Sequence, residues 1–452
     1  MSALEKALQH SNKKKIDECE IVSVKKNTTT IRITDSEIAE IKQNFDESFG
    51  IRLIHEKKIA SIQTTKKEKI EDSIDSAFSS IPNLKPRKFW KGLPSSVSSR
   101  NLDGTFDEKL DKISGSKMMD IAQSMINSAS YNKITTITGS LNIVSEFFEI
   151  KNSNGLSFND RATYISGIIN AESEEGIIPV SGIGHSSGRT LRSFSAQQIG
   201  SDAREMCINS INPKKIDSGS YSIIFEPYSV GELLAFVVAS NFNFKTFSEK
   251  KSCFSNKFED EIALDEFNLT DDPHIPEGIG TKSVDDEGIS TSKNRLIENG
   301  IFKSTFSNIF DSFKENKKST GNALRTGSPM GRSAEPITIS APHNLKIDSG
   351  KSSPEDMIRD TKHGILVGRL WYTYAVNPIK GDFSCTARSG IRIIENGELK
   401  NPGKSVRIIH NLPIMLKNIS EIGNNQKNVI QWASLPSIAP SIKVEKIKVS
   451  SI

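Results

Sequence analysis

The sequence is poor in the residue types and runs that mark several large classes of protein. Its 452 residues include four cysteines, Cys19, Cys207, Cys253 and Cys385, and no pair of them has the CxxC spacing of a zinc knuckle. Cysteines this few and scattered argue against a disulfide framework and favour reduced thiols in a cytoplasmic protein. The longest apolar run, Leu233–Ala239, is too short to cross a membrane, and the first residues lack the apolar core of a signal peptide.

Neither sign of charge dominates the chain. Lysine and arginine number 59 and aspartate and glutamate 55, for a formal net charge of +4. Lysine clusters such as Lys13–Lys15 and Lys66–Lys69 lie beside acidic residues and have no aromatic residues between them, which is typical of solvated surface. The sequence therefore predicts neither a nucleic-acid partner nor a membrane partner.

The pattern of apolar residues predicts an α+β protein of three parts. A chain of 452 residues is too long for one compact core. We expect an N-terminal α/β subdomain at 1–104 and a central α/β subdomain at 105–217, two small mixed-sheet units. A mainly antiparallel β domain, barrel-like, is expected at 218–452. The first of these boundaries falls in a loop rich in proline, serine and glycine, Pro82–Gly104.

Short strands and tight turns are indicated inside these parts. Glu20–Val24 and Thr29–Thr34 alternate apolar with polar residues, and Asn27 between them suits a turn. Farther along, Leu296–Lys303 and Ile393–Lys400 each contain Asn-Gly, whose positive φ angles suit a type I′ hairpin. We interpret these as two hairpins of one antiparallel sheet or barrel, with no catalytic role.

Five short blocks in the second half of the chain follow a recognisable order. They are Asp285–Gly288, Leu296–Gly300, Ser319–Asn322, Asn377–Ser384 and Ile394–Glu398. In order and spacing they resemble the TldD/TldE (PmbA) metallopeptidase family, and the last two resemble its TldE side. The resemblance runs over most of the chain and is strongest after about residue 218.

The resemblance raises the question of whether this chain can hold the catalytic metal. In the TldD-type subunit, a helix after an apolar strand carries HExxxH, whose imidazoles bind zinc and whose glutamate is the general base. The matching strand here is Tyr221–Phe225. When the following helix is registered on its two adjacent leucines, Ala235 and Ser240 replace the histidines and Phe236 replaces the glutamate. A methyl group and a phenyl ring offer no lone pair, and a hydroxyl is a poor zinc ligand.

Cys385 is the one candidate metal ligand that remains. The resemblance implies a ligating cysteine on a late strand, and Cys385 lies about two residues from that place, a shift that keeps a side chain on the same face of a strand. One thiolate still falls short of the three protein ligands of catalytic zinc. A small buried core residue is therefore the favoured interpretation of Cys385.

By resemblance, the chain is a TldE/PmbA-like subunit with no catalytic site and no cofactor of its own. It is expected to pair with a TldD-like subunit that binds zinc, in a complex that cleaves short or unfolded peptides. Its own part would be to complete the chamber wall and to present strand edges to extended substrate. Two alternatives stay open: a metallopeptidase with an unconventional site, such as Cys385 with a nearby histidine, or a stand-alone peptide-binding homodimer.

Three other polar segments are candidates for binding. The trio Asp285, Asp286 and Glu287 has the oxygen ligands of a cation site, but the neighbouring glycine favours carboxylates that accept backbone hydrogen bonds in a tight turn. Gly184–Arg189 and Gly327–Arg332 are predicted to be flexible polar loops. Their arginines could touch a ligand carboxylate, although a plain surface loop is favoured.

Overall fold

The computed structural model describes residues 2–327, 330–431 and 435–452. With 23% helix and 40% strand, the chain is an α+β protein, as predicted. The α-helices of the described residues are α1 (Ala3–Lys13), α2 (Ile70–Ser80), α3 (Glu108–Asp111), α4 (Gly115–Ala129), α5 (Ala196–Ile208), α6 (Pro227–Leu233), α7 (Phe244–Ser248), α8 (Ile309–Lys314), α9 (Pro354–Arg359) and α10 (Leu412–Lys417).

The strands fall into a long-stranded N-terminal group and a short-stranded C-terminal group. The first group is β1 (Glu18–Thr34), β2 (Glu37–His55), β3 (Lys58–Thr64), β4 (Thr136–Asn152), β5 (Ser157–Ser173) and β6 (Val180–Gly188). The second group is β7 (Gly219–Phe225), β8 (Leu269–Asp271), β9 (Asn294–Glu298), β10 (Ile301–Phe302), β11 (Ala323–Arg325), β12 (Thr338–Ser340), β13 (Leu345–Ile347), β14 (His363–Val367), β15 (Arg369–Asn377), β16 (Asp382–Ser389), β17 (Arg392–Glu395), β18 (Glu398–Pro402), β19 (Val406–Asn411), β20 (Ile419–Ile422), β21 (Lys427–Val429), β22 (Ser437–Ala439) and β23 (Ile442–Ser451).

The N-terminal strands form one six-stranded antiparallel sheet in the order β3-β2-β1-β4-β5-β6. The sequence placed these strands in two mixed-sheet units, but β1 pairs with β4 continuously from Glu20 opposite Asn152 to Ile33 opposite Gly139. Each of these strands is 17 residues long, and their pairing satisfies backbone groups along 14 residues of each. The boundaries at 104 and 217 remain predictions.

The prediction of a turn at Asn27 was wrong. Asn27 lies inside β1 opposite Phe45, and the chain reverses instead at Asp35 and Ser36, whose φ angles are 52° and 66°. Threonines follow Asn27 directly in the strand, and β-branched residues favour extended backbone. A single residue of turn-forming type is therefore overridden by pairing on both sides of the strand.

The two faces of the N-terminal sheet differ in chemistry. One face is apolar and packs against helices, with α4 and α5 covering residues such as Ile31, Leu141 and Ile165. Gly184 lets α5 approach closely, because a Cβ there would lie 1.9 Å from the carbonyl oxygen of Ile199. The opposite face looks onto the C-terminal half of the chain and carries polar side chains such as Thr28 and Thr30 beside an apolar group that includes Val24 and Phe148.

The C-terminal half contains a curled half-barrel sheet of nine strands, which agrees with the barrel-like prediction. Its path is β15-β16-β19-β23-β7-β14-β17-β18, with β20 also paired to β23. All of these pairs are antiparallel except β7 with β14. A second sheet has the order β10-β9-β8-β13-β22-β21, and β11 pairs with β12. A large apolar core joins these elements.

Both predicted Asn-Gly hairpins are present. Asn299 and Gly300 have φ angles of 50° and 74°, and Asn396 and Gly397 have 50° and 81°, as a type I′ turn requires. The prediction that both hairpins lie in one sheet was wrong, because β9–β10 belongs to the six-stranded C-terminal sheet and β17–β18 to the nine-stranded one. A tight turn determines which two strands pair, but not which sheet edge the hairpin joins.

No helix among the described residues is long and apolar enough to cross a membrane.

Candidate functional site

The helix that resembles a metal-binding helix has an unusual turn. It follows β7 as a strand–helix unit, starts with Pro227 at its first turn, and widens after α6 into a single π turn, Leu234–Val238. On a regular α-helix, residues five apart point about 140° away from each other. A π turn holds more residues per turn, which reduces the angle between Ala235 and the residues that follow it, and Ser240 lies just beyond it in a short 3₁₀ helix, Ala239–Phe242.

The three predicted site residues lie on the accessible side of this segment. Ala235 is half-buried, Phe236 and Ser240 are exposed, and Val237 and Val238 between them are buried. None of the three side chains is a good zinc ligand or a general base, because a methyl group and a phenyl ring have no lone pair and a hydroxyl is a poor zinc ligand. No group of three or more His, Cys, Asp or Glu side chains with metal-holding geometry occurs in the described part of the chain.

Cys385 lies in the interior of the nine-stranded sheet. It stands in β16 opposite Ile408 and has no exposed surface. Burial raises the pKa of the Cys385 thiol far above its usual range, and the carboxyl group of Glu232 raises it further. The thiolate is the form of cysteine that binds metals, so the environment of Cys385 is that of a core residue.

Glu232 is a buried carboxyl group that the sequence analysis missed. It lies on α6 one turn before Phe236 and accepts a 2.7 Å hydrogen bond from the backbone N–H of Leu370. Desolvation raises the pKa of Glu232 to about 8, although the Leu370 hydrogen bond and the charge of Arg369 oppose this shift. The signal in the sequence was one acidic residue inside an otherwise apolar helix.

A cavity of about 600 Å³ lies between the polar face of the N-terminal sheet and the C-terminal half. On the sheet side, its lining includes Thr28, Thr30, Asn142 and Ser166, and the hydroxyl of Thr30 donates to the amide oxygen of Asn142 at 2.8 Å. Ala235, Phe236 and Ser240 are not among its lining residues. A cavity of this volume, lined by hydroxyl and amide groups beside the charged Lys26, Asp46 and Arg332, can hydrogen-bond a polar ligand such as an extended peptide.

His185 and Tyr228 form part of the cavity wall where the two halves of the chain meet. The rings pack edge to face with their centroids 4.5 Å apart. Desolvation lowers the pKa of His185 to about 4, so the ring is neutral near pH 7. Its buried Nε2 atom has no hydrogen-bond partner among the described residues. His185 and Tyr228 are far apart in the sequence, and the fold brings their rings into contact.

The acidic trio is part of a buried network of charges. Asp285 accepts backbone hydrogen bonds from Glu287 and Ile289 at 2.9 Å and from Ala323 at 3.0 Å, which confirms the tight-turn interpretation for this residue. Asp286 forms ion pairs with Lys282 and Arg332, which hold the pKa of its carboxyl group well below the usual range despite burial. The carboxylates of Asp285 and Asp286 therefore already bind groups of the protein itself.

The two loops predicted to be flexible and exposed were interpreted wrongly. Arg189 is buried and donates to the carbonyl oxygens of Thr163, Thr281 and Thr105. Arg332 is also buried, and its guanidinium group binds Asp286. Ser328 and Pro329 of the second loop lie outside the described residues. The polar composition of these segments reflects buried hydrogen bonds between distant parts of the chain, which composition alone does not distinguish from solvent exposure.

Strand β15 borders the helix of the candidate site. It packs against α6 and the π turn, and it is an edge strand of the nine-stranded sheet because its one partner among the described strands is β16. Tyr372, Tyr374 and Val376 are exposed along it. An edge strand with exposed side chains presents unpaired backbone groups to which an extended chain can add.

Two family models match this chain. One is described as the PmbA/TldA metallopeptidase C-terminal domain and matches residues 218–451. The other is described as PmbA/TldA metallopeptidase domain 1 and matches residues 19–81. The C-terminal match alone spans more than half of the 452 residues, and residues 82–217 are matched by neither model.

Similar proteins come from archaea and bacteria. A metalloprotease of Methanothermobacter thermautotrophicus is 23% identical over 410 residues, which span 88% of this chain and 86% of the relative. Metalloprotease PmbA of Escherichia coli is 24% identical over 260 residues, 57% of this chain and 53% of the relative. The crystal structure of TldE from Thermococcus kodakarensis has a TM-score of 0.89 at 23% identity and covers 99% of this chain and 100% of that one. At this identity, the structural similarity establishes a shared fold.

Proposed function

Because this chain belongs to the PmbA/TldD metallopeptidase family, we propose that it is a non-catalytic, TldE-like subunit of a cytoplasmic zinc peptidase. In this role it pairs with a TldD-like subunit that carries HExxxH and the zinc ion. It supplies a wall and a peptide-holding surface to the assembly, whose substrates are short or unfolded peptides.

The observation that carries this proposal is the chemistry of the helix after β7. The segment has a strand–helix arrangement with a π turn, while Ala235, Phe236 and Ser240 offer neither good zinc ligands nor a base. A partner that supplies the metal would explain why a chain of a metallopeptidase family keeps this architecture without the side chains that do the chemistry.

The cavity and the edge strand support the peptide-holding part of the role. The hydroxyl and amide groups of the cavity are suited to peptide groups, which are themselves neutral donors and acceptors. Strand β15 runs beside the helix of the candidate site, so a peptide added to its edge would lie near the accessible side of that helix.

The first test is the zinc content and peptide hydrolysis of the purified chain, alone and mixed with the HExxxH-bearing subunit of the same organism. We expect no zinc and no turnover for the chain alone. We expect chelator-sensitive turnover in the mixture that exceeds the activity of the partner alone. Stoichiometric zinc with turnover by the lone chain would instead establish an enzyme in its own right, and Cys385 would then be the first residue to replace.

A second experiment tests the register of the helix. Ala235→His, Phe236→Glu and Ser240→His together rebuild HExxxH across the π turn and the 3₁₀ helix that follows it, and we expect zinc affinity to rise at least about tenfold over the parent. The matched control, Met119→His with Ser124→His, places imidazoles at the same spacing on the regular helix α4, about 140° apart. Equal zinc affinities of the two variants, measured by competition with a chelator dye, would show that the register is wrong.

A further inference from the structure

A second cavity, of about 680 Å³, is lined by residues of β3 in the N-terminal sheet and of α7, α8 and β12 in the C-terminal half. Its volume lies within the range of about 300–1,000 Å³ that small-molecule sites occupy. Among the residues that the structure describes, it shares no lining residue with the 600 Å³ cavity. It is therefore a separate space, which we call the Ile339 cavity.

Strand β12 presents apolar side chains to this cavity and buries polar ones. Ile337 and Ile339 line the cavity with 59% and 46% of their surface exposed, whereas Thr338 and Ser340 are buried. A strand with one solvated face normally buries its apolar residues and exposes its polar ones. Large apolar side chains exposed together in a cavity are typical of a surface that a ligand covers.

The inverted pattern of β12 has its cause on the buried side of the strand. The hydroxyl of Thr338 donates to Glu287 at 2.7 Å, and the hydroxyl of Ser340 donates to Asp311 at 2.6 Å. Both hydroxyls are therefore satisfied inside the protein. The two isoleucines are left on the cavity side, where the ring of Phe310 adds further apolar lining.

Two cations of the lining have no acidic partner. The guanidinium group of Arg87 and the ammonium group of Lys245 are exposed, and neither forms an ion pair with a described residue. The other cations of the lining are held by acids of the protein: Lys251 by Glu249 at 2.7 Å, and Arg52 by Glu20 and Glu287 at 2.9 Å. The unpaired cations favour an anionic ligand.

The two acids of the lining do not cancel this positive charge. The carboxylate of Glu249 is held by Lys251. Burial raises the pKa of Asp311, and the hydrogen bond from Ser340 and the charge of Lys245 oppose this rise. Asp311 forms no ion pair with Lys245, since the two side chains are not among the described pairs within 4 Å. The cavity therefore combines an apolar wall with cations that an anion can bind.

We propose that the Ile339 cavity binds a carboxylate joined to an apolar chain, with Arg87 and Lys245 binding the carboxylate and Ile337 and Ile339 contacting the chain. A guanidinium group can donate to both oxygens of a carboxylate, and an ammonium group adds a point charge. Two sources share this chemistry, the carboxyl terminus of an apolar peptide and a fatty acid. Neither source requires the partner subunit, so this site is independent of the proposed function.

Binding is measured on the purified full chain by calorimetry with octanoate, octanamide, butanoate, N-acetyl-dileucine and N-acetyl-dileucinamide. We expect octanoate and N-acetyl-dileucine each to bind at least about tenfold more tightly than its amide, because amidation removes the charge. Octanoate should bind at least about tenfold more tightly than butanoate, because its apolar chain is longer. Tighter binding of N-acetyl-dileucine than of octanoate identifies a peptide terminus, and the reverse order identifies a fatty acid.

A double variant with a matched control tests the two cations. Arg87→Met with Lys245→Met removes both charges and keeps apolar stems, and it should weaken octanoate binding at least about tenfold. Thermal stability should not fall, because neither side chain has an ion pair to lose. Lys85→Met with Lys250→Met removes two exposed lysines at nearby positions that do not line the cavity, and it should leave the affinity for octanoate unchanged.

A second double variant tests the apolar wall. Ile337→Ser with Ile339→Ser truncates two exposed side chains, so the protein should remain folded. It should reduce the preference for octanoate over butanoate to less than about threefold, because the longer chain loses its apolar contacts.

Three outcomes would overturn the proposal: no binding of any carboxylate at about 10 mM, equal binding of the carboxylates and their amides, or unchanged octanoate affinity in the folded variant without Arg87 and Lys245. These outcomes concern the isolated chain and a carboxylate. Failure of the proposed function would appear separately, as a mixture with the HExxxH-bearing subunit that is no more active than that subunit alone.

Discussion

Single residues around α6 show how burial changes side-chain chemistry. Glu232 and Cys385 are both removed from water in the same core, and in both the raised pKa favours the neutral form. A neutral thiol and a neutral acid suit the interior of a sheet better than they suit a metal site. The same segment exposes Phe236, a phenyl ring at the position where the family resemblance implies a base.

The raised pKa of Glu232 makes stability depend on pH in a defined direction. In the folded chain its pKa is about 8, and its ordinary value is 4.5. Between these values the folded state binds more protons than the unfolded state, so this contribution to stability is complete below about pH 4.5 and is lost as pH rises through 8. We expect the free energy of unfolding of Glu232→Gln to be about 2 kcal/mol higher than that of the parent at pH 9. At pH 4.5 we expect the two free energies to differ little.

The measurement is urea unfolding of parent and variant at both pH values. Glu68→Gln, an exposed carboxylate, serves as the control and should change the free energy of unfolding at neither pH. A Glu232→Gln effect of the same size at pH 4.5 and pH 9 would contradict a buried, neutral acid at this position.

At the scale of elements, a tight turn and a close backbone contact together fix the position of a hairpin. The hairpin β17–β18 turns at Asn396 and Gly397 and packs beside α9, since a Cβ on Gly397 would lie 2.5 Å from the carbonyl oxygen of Arg359. Glycine is required there by the positive φ and by the contact together. This position connects local backbone conformation with the docking of the hairpin.

Two glycine substitutions should have opposite effects on stability. Gly397→Ala meets both a φ of 81° and the Arg359 carbonyl, and we expect it to lower the free energy of unfolding by about 2 kcal/mol. Gly115→Ala lies at the start of α4, where a Cβ meets nothing within 4 Å, and we expect a gain of about 0.5 kcal/mol. Denaturant unfolding of both variants checks this, and equal effects would refute the conformational explanation.

At the scale of the whole molecule, buried charges join the N-terminal sheet to the C-terminal half. Arg52 on β2 donates to Glu20 and to Glu287, each at 2.9 Å, and Arg325 on β11 donates to Glu20 at 2.5 Å. The desolvation of these ions is offset by near-complete pairing, so the loss of one partner leaves a buried charge uncompensated. The network joins β1 and β2 of the N-terminal sheet to Glu287 and to strand β11 of the two-stranded sheet.

Removing one charge from this network should be much costlier than removing one at the surface. We expect Glu287→Gln to lower the free energy of unfolding by about 3 kcal/mol, because Arg52 loses a charged partner in a buried place. Glu108→Gln removes the partner of Lys112 in an exposed pair and should leave the free energy of unfolding unchanged, because solvent screens that pair. Similar losses for the two variants in urea unfolding would show that the network does not hold the halves together.

Several features of this protein were readable from the sequence because they depend on neighbouring residues. The Asn-Gly turns follow from the positive φ angles of two adjacent positions, and the α+β class follows from local periodicity. The family blocks and the chemistry of Ala235, Phe236 and Ser240 are likewise properties of residue identity and order. None of these inferences needs knowledge of which distant segments meet.

What only the tertiary structure decided depends on long-range pairing and burial. Asn27 lies in a strand and not in a turn because β1 pairs with β4 along this stretch. Arg189 and Arg332 are buried and not exposed on surface loops. His185 and Tyr228 lie 43 positions apart in the chain and meet in the wall of the 600 Å³ cavity. Such groups acquire their partners and their pKa values from desolvation and from contacts across the fold, and neither is encoded in any short stretch of sequence.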